Sequence, residues 1–398
     1  MQITDKQLEP LHPAILRLGF RPFFAAAALF SVLATLAWSG MYLVNWNVHS
    51  LMPTPVTWHA HEMIFGYSQA VIAGFLLTAV SNWTGMRTLR GMPLFLLLLA
   101  WLAGRMLFIA GNAVPVLLLA FVDCAFTAGL VIALLVPVIK SRQWKQLGII
   151  SKLVLLLACN LVFYAGMYGA LGDGVRIGLY SGVYLVIALV LVLSRRVFPF
   201  FIERGAGYPV ELKNRLWLDI ASLVLFLAFW IAEIIRPDTL LVAVLAATLM
   251  VLHAMRLAGW HTAGIWKKPL LWVLYLGYSW LIIAFALKAA AYFAGISPLF
   301  SLHAFAYGGI GMITLGMMSR VILGHTGRSV FDPPPALFSI FATLLAGTVI
   351  RVLFPLFYSA YYKVWIGLSQ VLWVVAFIMF LYVFLPMLAK PRIDGQDG

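Results

Sequence analysis

Twelve long apolar runs are the feature of this sequence that most constrains its fold. A helix needs about 20 apolar residues to cross the hydrocarbon core of a bilayer, and only 10% of this 398-residue chain is charged. The runs are continuously apolar instead of alternating, which predicts helices and not a membrane β-barrel. We therefore predict an all-α, polytopic membrane bundle. Its spans are predicted at 22–44, 59–81, 92–110, 115–138, 149–171, 176–194, 216–235, 239–257, 270–293, 300–322, 335–357 and 364–388.

The basic residues fall into alternate loops, and this distribution predicts the orientation of the chain. Most Lys and Arg residues precede the first span or follow the even-numbered spans, whereas the other loops carry only Arg176, Arg236 and Lys363. The positive-inside rule then places both termini in the cytoplasm. The net charge of +14 is thus a topology signal, reinforced by anionic lipid headgroups, and it does not indicate a nucleic-acid partner.

The sequence predicts a single integral membrane domain over residues 1–398, with short cytoplasmic tails outside about 22–388. A basic segment at 195–215 separates two halves of six spans, without a convincing internal repeat. The two cysteines, Cys124 and Cys159, both lie inside predicted spans. Because the chain has no CxxCH motif, covalent attachment of a c-type haem is excluded.

Histidines at the ends of apolar runs are the strongest functional signal. Ionisable groups are costly in a membrane and are functional candidates by default, and imidazole is the commonest metal ligand. His303 and His325 are 22 residues apart, which is about 33 Å on a continuous helix, so they cannot share one metal. Either a second, inner site exists or all metals share the outer one. The predicted topology gives an outer group of His49, His59, His61 and His303, and an inner group of His253 and His325.

Charged residues inside the spans also lie in the outer half of the membrane. Such groups need partners or water, so we expect them to share one polar chamber; the alternative is a set of structural ion pairs. In a haem site, Arg105, Lys288 and Arg351 would bind the propionates. The six charged residues are Glu62, Arg105, Asp123, Glu233, Lys288 and Arg351.

Helix geometry separates the two neighbouring histidines of the second span. His59 and Glu62 share one helix face, whereas His61 points about 200° away from His59. Only one of the two histidines is therefore expected to face a given site. Glu62 is predicted to accept a hydrogen bond from a ligating histidine and so to fix its tautomer.

Other predicted site residues surround the ligands. Tyr307 lies one turn after His303, and Arg256, Arg320 and Arg328 lie near the inner histidines. Small residues permit the close approach of a flat cofactor or of another helix. Those that follow Tyr307 are Gly308, Gly309 and Gly311.

Four segments together resemble the NnrS family of bacterial inner-membrane proteins of the nitric oxide response. They read RLGFRP at 17–22, HAHEMIFGY at 59–67, RLAGW at 256–260 and LGHTGR at the end of 303–328. The resemblance runs from about residue 10 to the end of the twelfth span. It implies a twelve-span protein containing haem and copper, but not which histidine serves which metal.

The leading hypothesis is a haem- and copper-binding protein of the bacterial inner membrane that limits nitric oxide damage. It would bind or convert nitric oxide, with an unidentified electron donor. The haem is expected to be of the b type, with His59 or His61 and His303 as ligands, and His253 and His325 as candidates for the second metal. One alternative is a secondary transporter of a small anion or metal. Another is a non-catalytic factor that protects or assembles metal centres.

Overall fold

The computed structural model describes residues 12–46 and 53–396, and helices are the only regular secondary structure in these ranges. Twelve helices are long and apolar enough to cross a membrane, so the predicted all-α membrane bundle is confirmed. They are α1 Phe20–Leu43, α2 Pro55–Thr84, α3 Gly91–Ile109, α4 Val116–Lys140, α5 Trp144–Met167, α6 Gly174–Gly205, α7 Leu216–Ile235, α8 Leu240–Gly259, α9 Pro269–Ala294, α10 Pro298–His325, α11 Ala336–Phe357 and α12 Ser359–Ala389.

An even number of spans places the two ends of the bundle on the same side, and the cytoplasmic location of that side stays a prediction. His49, one of the expected outer histidines, lies outside the described residues.

Helix α6 is longer than its predicted span, because it continues to Gly205 instead of ending near 194. Phe198 and Ile202 are buried in this extension, and the Phe198 ring packs against Trp260 and Tyr278 with centroids about 6 Å apart. The extension carries Arg and Glu on its other face, so its mean hydropathy is too low for a membrane span. About half of the basic segment predicted at 195–215 is therefore an amphipathic extension of α6.

The two spans that carry the outer histidines begin in the same way. The Thr54 hydroxyl accepts from the Thr57 N–H at 3.1 Å, and the Ser297 hydroxyl accepts from the Leu299 N–H at 3.3 Å. A proline follows each capping residue, at the position where its missing N–H and fixed φ favour a helix start.

Both of these spans also become π-helical directly after the histidines, at Glu62–Ser68 in α2 and at Ala304–Gly311 in α10. In α2, two carbonyls of this wider turn accept side-chain hydrogen bonds: Gly66 from Trp101 at 3.0 Å and Met63 from Ser68 at 2.7 Å. Short π-helical turns are rare and occur mostly at functional sites.

Helices α2, α6, α9 and α10 form the buried centre of the bundle. Helix α1 packs on α2 and α12, α9 packs on α8 and α10, and α5 packs on α6. The histidine-bearing ends of α2 and α10 therefore lie inside the bundle, near the ends of α1 and α11 and the start of α12.

The glycines after Tyr307 serve helix packing. A Cβ atom on Gly308 would lie 2.6 Å from the Trp280 side chain, and one on Gly311 would lie 2.8 Å from that of Trp373. A Cβ on Gly309 would collide with Leu281. These small residues were expected to allow the close approach of either a flat cofactor or another helix. The structure favours the second, with α9 and α12 as the neighbouring helices.

Candidate functional site

A cavity of about 310 Å³ lies between α2 and α10, and both His59 and His303 line it. Residues of α1, α6, α11 and α12 complete the wall. Most of this wall is apolar, as in Met63, Val186 and Ile310. Its volume falls in the range of roughly 300–1,000 Å³ that is typical of sites for small molecules and cofactors.

The His303 ring is held in one tautomer. Its Nδ1–H donates to the Leu299 carbonyl at 2.8 Å, so Nε2 carries the lone pair. Arg351 donates to this Nε2 from Nη2 at 2.7 Å. A backbone carbonyl on one ring nitrogen and a free lone pair on the other is the usual arrangement of a metal-binding histidine.

The His59 ring is positioned by stacking. It lies against the Trp38 indole with ring centroids 4.6 Å apart and an interplanar angle of 13°. Its Nδ1 atom is buried and has no hydrogen-bond partner among the described residues. A buried polar atom without a partner costs about 1–3 kcal/mol, and His59 is one of the residues that line the cavity.

Two further buried donors in the same wall are without partners in the described part of the chain, Gln370 Nε2 and Trp373 Nε1. The Gln370 Oε1 atom accepts from the Ser39 hydroxyl at 2.7 Å, which leaves the amide nitrogen to the cavity. Tyr307 also lines the cavity, but its hydroxyl donates to the Ser369 carbonyl at 2.8 Å. Together with Arg351, these donors favour an occupant that is apolar in its body and carries hydrogen-bond acceptors.

His61 lies away from this cavity, in a buried polar network between α2, α3, α4 and α5. Its Nδ1 is 3.0 Å from Glu62 Oε1, and its Nε2 is 3.1 Å from Asn160 Oδ1. With acceptors at both ring nitrogens, the imidazolium form would satisfy this network. The two histidines therefore face different sites, as their angular separation on the helix predicts.

Arg105 joins the two acids of the same network. It donates to Glu62 at 3.0 Å and pairs with Asp123. Asp123 also accepts from Asn160 Nδ2 at 2.8 Å and from the Tyr164 hydroxyl at 2.9 Å. The two cations balance the two carboxylates, and this network lies wholly in the buried interior.

The structure divides the six charged residues of the spans into three groups instead of one chamber. Lys288 pairs with Glu233 at 2.7 Å, between α9 and α7, and Arg105 belongs to the His61 network. Of the three bases predicted to bind propionates, only Arg351 lines the cavity. Depth along each helix had placed the charges at one level, but it contains no information on which helices are neighbours.

The inner histidines lie against different helices. His253 Nδ1 is 2.7 Å from the Tyr278 hydroxyl of α9 and also faces Arg256. The His325 ring packs on Phe20 of α1 with centroids 5.6 Å apart. Over the described ranges, no group of three or more His, Cys, Asp or Glu residues is placed to hold a metal ion.

The arginines predicted near these histidines have other contacts. Arg256 binds Asp219 at 3.0 Å, and Arg320 stacks over the Phe201 ring at 3.9 Å. Arg328 donates to the Thr326 carbonyl at 3.3 Å. Each therefore stabilises the packing of the inner end.

The family model described as NnrS protein matches residues 14–392 of the chain. The chain belongs to the NnrS family. Family membership and the twelve spans make it a multi-pass membrane protein of the nitric oxide response. No curated protein matches the sequence significantly.

A search of the sequence for histidines and charged residues misses several residues of the NnrS cavity and of the His61 network. Gln370 and Asn160 are neutral polar residues inside long apolar runs, and a search for amides in predicted spans would have found both. Trp38 and Trp373 are aromatic residues among many, so only their packing identifies them.

Charge balance in the His61 network can be tested by removing Arg105. Breaking one partner from a buried ion pair costs about 3–5 kcal/mol, so Arg105→Gln is expected to lower the free energy of unfolding by about that amount. The double variant Arg105→Gln/Glu62→Gln removes one charge of each sign and should recover part of the loss. Thermal unfolding in detergent measures both.

Arg215→Gln is the matched control, because Arg215 is exposed and surface substitutions usually change stability by no more than about 0.5 kcal/mol. A double variant no more stable than Arg105→Gln alone would contradict the role of charge balance.

Proposed function

We propose that this NnrS protein is a haem protein of the bacterial inner membrane that protects the cell against nitric oxide. The cavity between α2 and α10 would hold the haem, and His59 and His303 are the residues that would bind its iron. The observation that carries the proposal is the pair of imidazoles from two helices in one cavity. One has an unpartnered buried nitrogen and the other has a lone pair fixed at Nε2.

The residues of the cavity fit a b-type haem, which is a flat apolar ring system with two carboxylates. Aliphatic side chains such as Ile64 and Leu302 form the walls. Arg351 and the unpartnered donors Gln370 Nε2 and Trp373 Nε1 suit carboxylate oxygens, because a charged donor makes the stronger kind of hydrogen bond. The absence of a CxxCH motif agrees with non-covalent binding.

Arg351 has to move when the site is loaded. In the structure its guanidinium donates to His303 Nε2, the same nitrogen that would bind a metal. A carboxylate that accepts from Arg351 would release this nitrogen, while the Leu299 carbonyl keeps the ring in place. Binding of the carboxylate and binding of the metal are thereby coupled through one side chain.

The two histidines are held with different strength. His303 has a hydrogen bond to the backbone, whereas among the described residues His59 is stacked on Trp38 and its Nδ1 has no hydrogen-bond partner. His59 is therefore the ligand expected to give way to a diatomic molecule. Bound haem supplies an iron centre that binds nitric oxide and can change its oxidation state.

Copper has no comparable site in residues 12–46 and 53–396, where no three-ligand group is found. Copper binding stays a prediction from the family resemblance, and no step is assigned to it.

The axial ligands can be identified by substitution. His59→Ala and His303→Ala are each expected to lower haem affinity by more than the roughly 10- to 100-fold that follows loss of a residue behind a metal ligand. His261→Gln changes an exposed histidine that does not line the cavity, and it is the control that should retain haem. Haem content and the Soret band of purified protein are the measurements. Full haem content with an unchanged Soret band in His303→Ala would exclude this ligand.

The direction in which haem affinity changes tests the role of Arg351. Loss of a charged hydrogen bond costs about 1.5–3 kcal/mol, so Arg351→Met should weaken haem binding roughly 10- to 150-fold. The rate of haem transfer to an excess of an apo acceptor protein measures this, with Arg215→Met as the control at an exposed arginine. Tighter haem binding in Arg351→Met would show that the arginine only competes for His303.

The activity itself is tested with nitric oxide. Anaerobic, reduced wild-type protein is expected to show a shifted Soret band on nitric oxide addition, and His303→Ala is expected to lack that spectrum. Stoichiometric uptake indicates a binding protein, whereas continued consumption with a reductant indicates an enzyme. A colourless protein without nitric oxide uptake would refute the proposal and favour a transporter.

A further inference from the structure

A second, smaller cavity adjoins the histidine cavity. It has a volume of about 60 Å³ and lies between α1, α2, α6 and α10. Its walls are almost wholly apolar, and they include Phe24, Val71, Leu189, Val190 and Met317. Nothing in the binding of haem by His59 and His303 requires this space.

The polar atoms of the wall do not make this cavity a water site. Ser68 donates to the Met63 carbonyl at 2.7 Å. Thr314 donates to the Ile310 carbonyl at 2.7 Å and pairs with the Tyr67 hydroxyl. Ser194 Oγ is buried without a partner in the described residues. A buried water needs two to four polar partners, and one free hydroxyl does not supply them, so the cavity is expected to be dry.

The two cavities share part of their walls. Ser68 and Val186 line both of them. Tyr67 lines the histidine cavity and Thr314 lines the second one, and their hydroxyls are 2.8 Å apart. This hydrogen-bonded pair therefore lies at the boundary between the two cavities.

The other end of the second cavity approaches the lipid-facing surface. Ile72 and Phe75 of α2 and Leu193 and Val197 of α6 line it and are only half-buried. Ile72 and Phe75 lie within the predicted second span, whereas Leu193 lies at the end of the predicted sixth span and Val197 in its extension, so this end of the cavity lies near one boundary of the membrane. A small neutral molecule dissolved in the hydrocarbon would reach the cavity without crossing a polar layer.

We propose that this second cavity is a docking site for a neutral diatomic gas, nitric oxide, on a path from the bilayer to the histidine cavity. The Tyr67–Thr314 pair forms the inner boundary of the path. The size of the cavity, its lack of water partners and its half-buried lipid-side wall carry the proposal. Delivery to a haem rests on the function proposed above, whereas occupancy by an apolar gas does not.

Xenon tests occupancy directly, because dry apolar cavities bind it. Wild-type protein in detergent is expected to shift the ¹²⁹Xe resonance in a saturable way. Val190→Phe places an aromatic ring in the second cavity alone and should remove the part of the saturable shift that this cavity contributes, leaving any part from the histidine cavity. Val224→Phe makes the same change at an exposed position of α7 and should preserve the whole shift. Should Val190→Phe fail to fold, Val190→Leu is the milder filling variant, expected to weaken the shift.

Three results would overturn the proposal: no saturable xenon signal in the wild type, an equal signal in Val190→Phe, or an ordered lipid chain or water in the cavity of an experimental structure. A second measurement follows the rate of nitric oxide binding after flash photolysis in haem-loaded protein. Val190→Phe should slow this rate relative to Val224→Phe with an unchanged Soret band; equal rates would refute the path.

The xenon experiment distinguishes the proposed gas cavity from the proposed haem function. Protein that binds xenon but no haem would refute the proposed function and leave the gas cavity standing. Protein that binds haem but no xenon would refute the gas cavity alone.

Discussion

A bilayer offers no water to an ionisable side chain, and this constraint orders the whole bundle. Polar groups inside the spans must find partners in the protein or in a ligand. Arg105, Glu62, Asp123 and His61 satisfy one another across four helices, and Lys288 does the same with Glu233. Arg105 Nε and Glu233 Oε2 still have no partner among the described residues, and three further such atoms, of His59, Gln370 and Trp373, belong to residues that line a single cavity.

The polar network and the cavity are separate structures on opposite faces of one helix. The start of α2 is held on one side by His61 and Glu62, which tie it to α3, α4 and α5. On its other side His59 enters the cavity, stacked on Trp38. The buried network of His61 and Glu62 thus holds the turn that carries His59, the proposed ligand. Residues behind a metal ligand orient it in this way. The π-helical turn that follows starts at Glu62 itself.

The arrangement also separates polar from apolar access. The histidine cavity reaches the ends of α1 and α11 and the start of α12, near Arg351, whereas the proposed gas cavity is lined by half-buried residues of α2 and α6. A charged or carboxylate-bearing ligand and a neutral gas would therefore meet at the same histidines from different directions. Tyr67 and Thr314 lie between the two spaces.

The sequence by itself determined the fold class and the positions of the spans, because continuous apolar runs have only one stable form in a membrane. It also determined that His59 and His61 face different sites, since helical spacing fixes their angle. The positions of charged residues along the sequence did not reveal the ion-pair partners of Arg105 and Lys288. Pairing depends on which helices are neighbours, and depth in the membrane does not determine this. Only the tertiary structure showed that Arg351 contacts His303 and that His59 Nδ1 has no partner among the described residues. It also showed that Gly308 and Gly311 allow close helix packing. Each of these outcomes depends on contacts between helices distant in sequence.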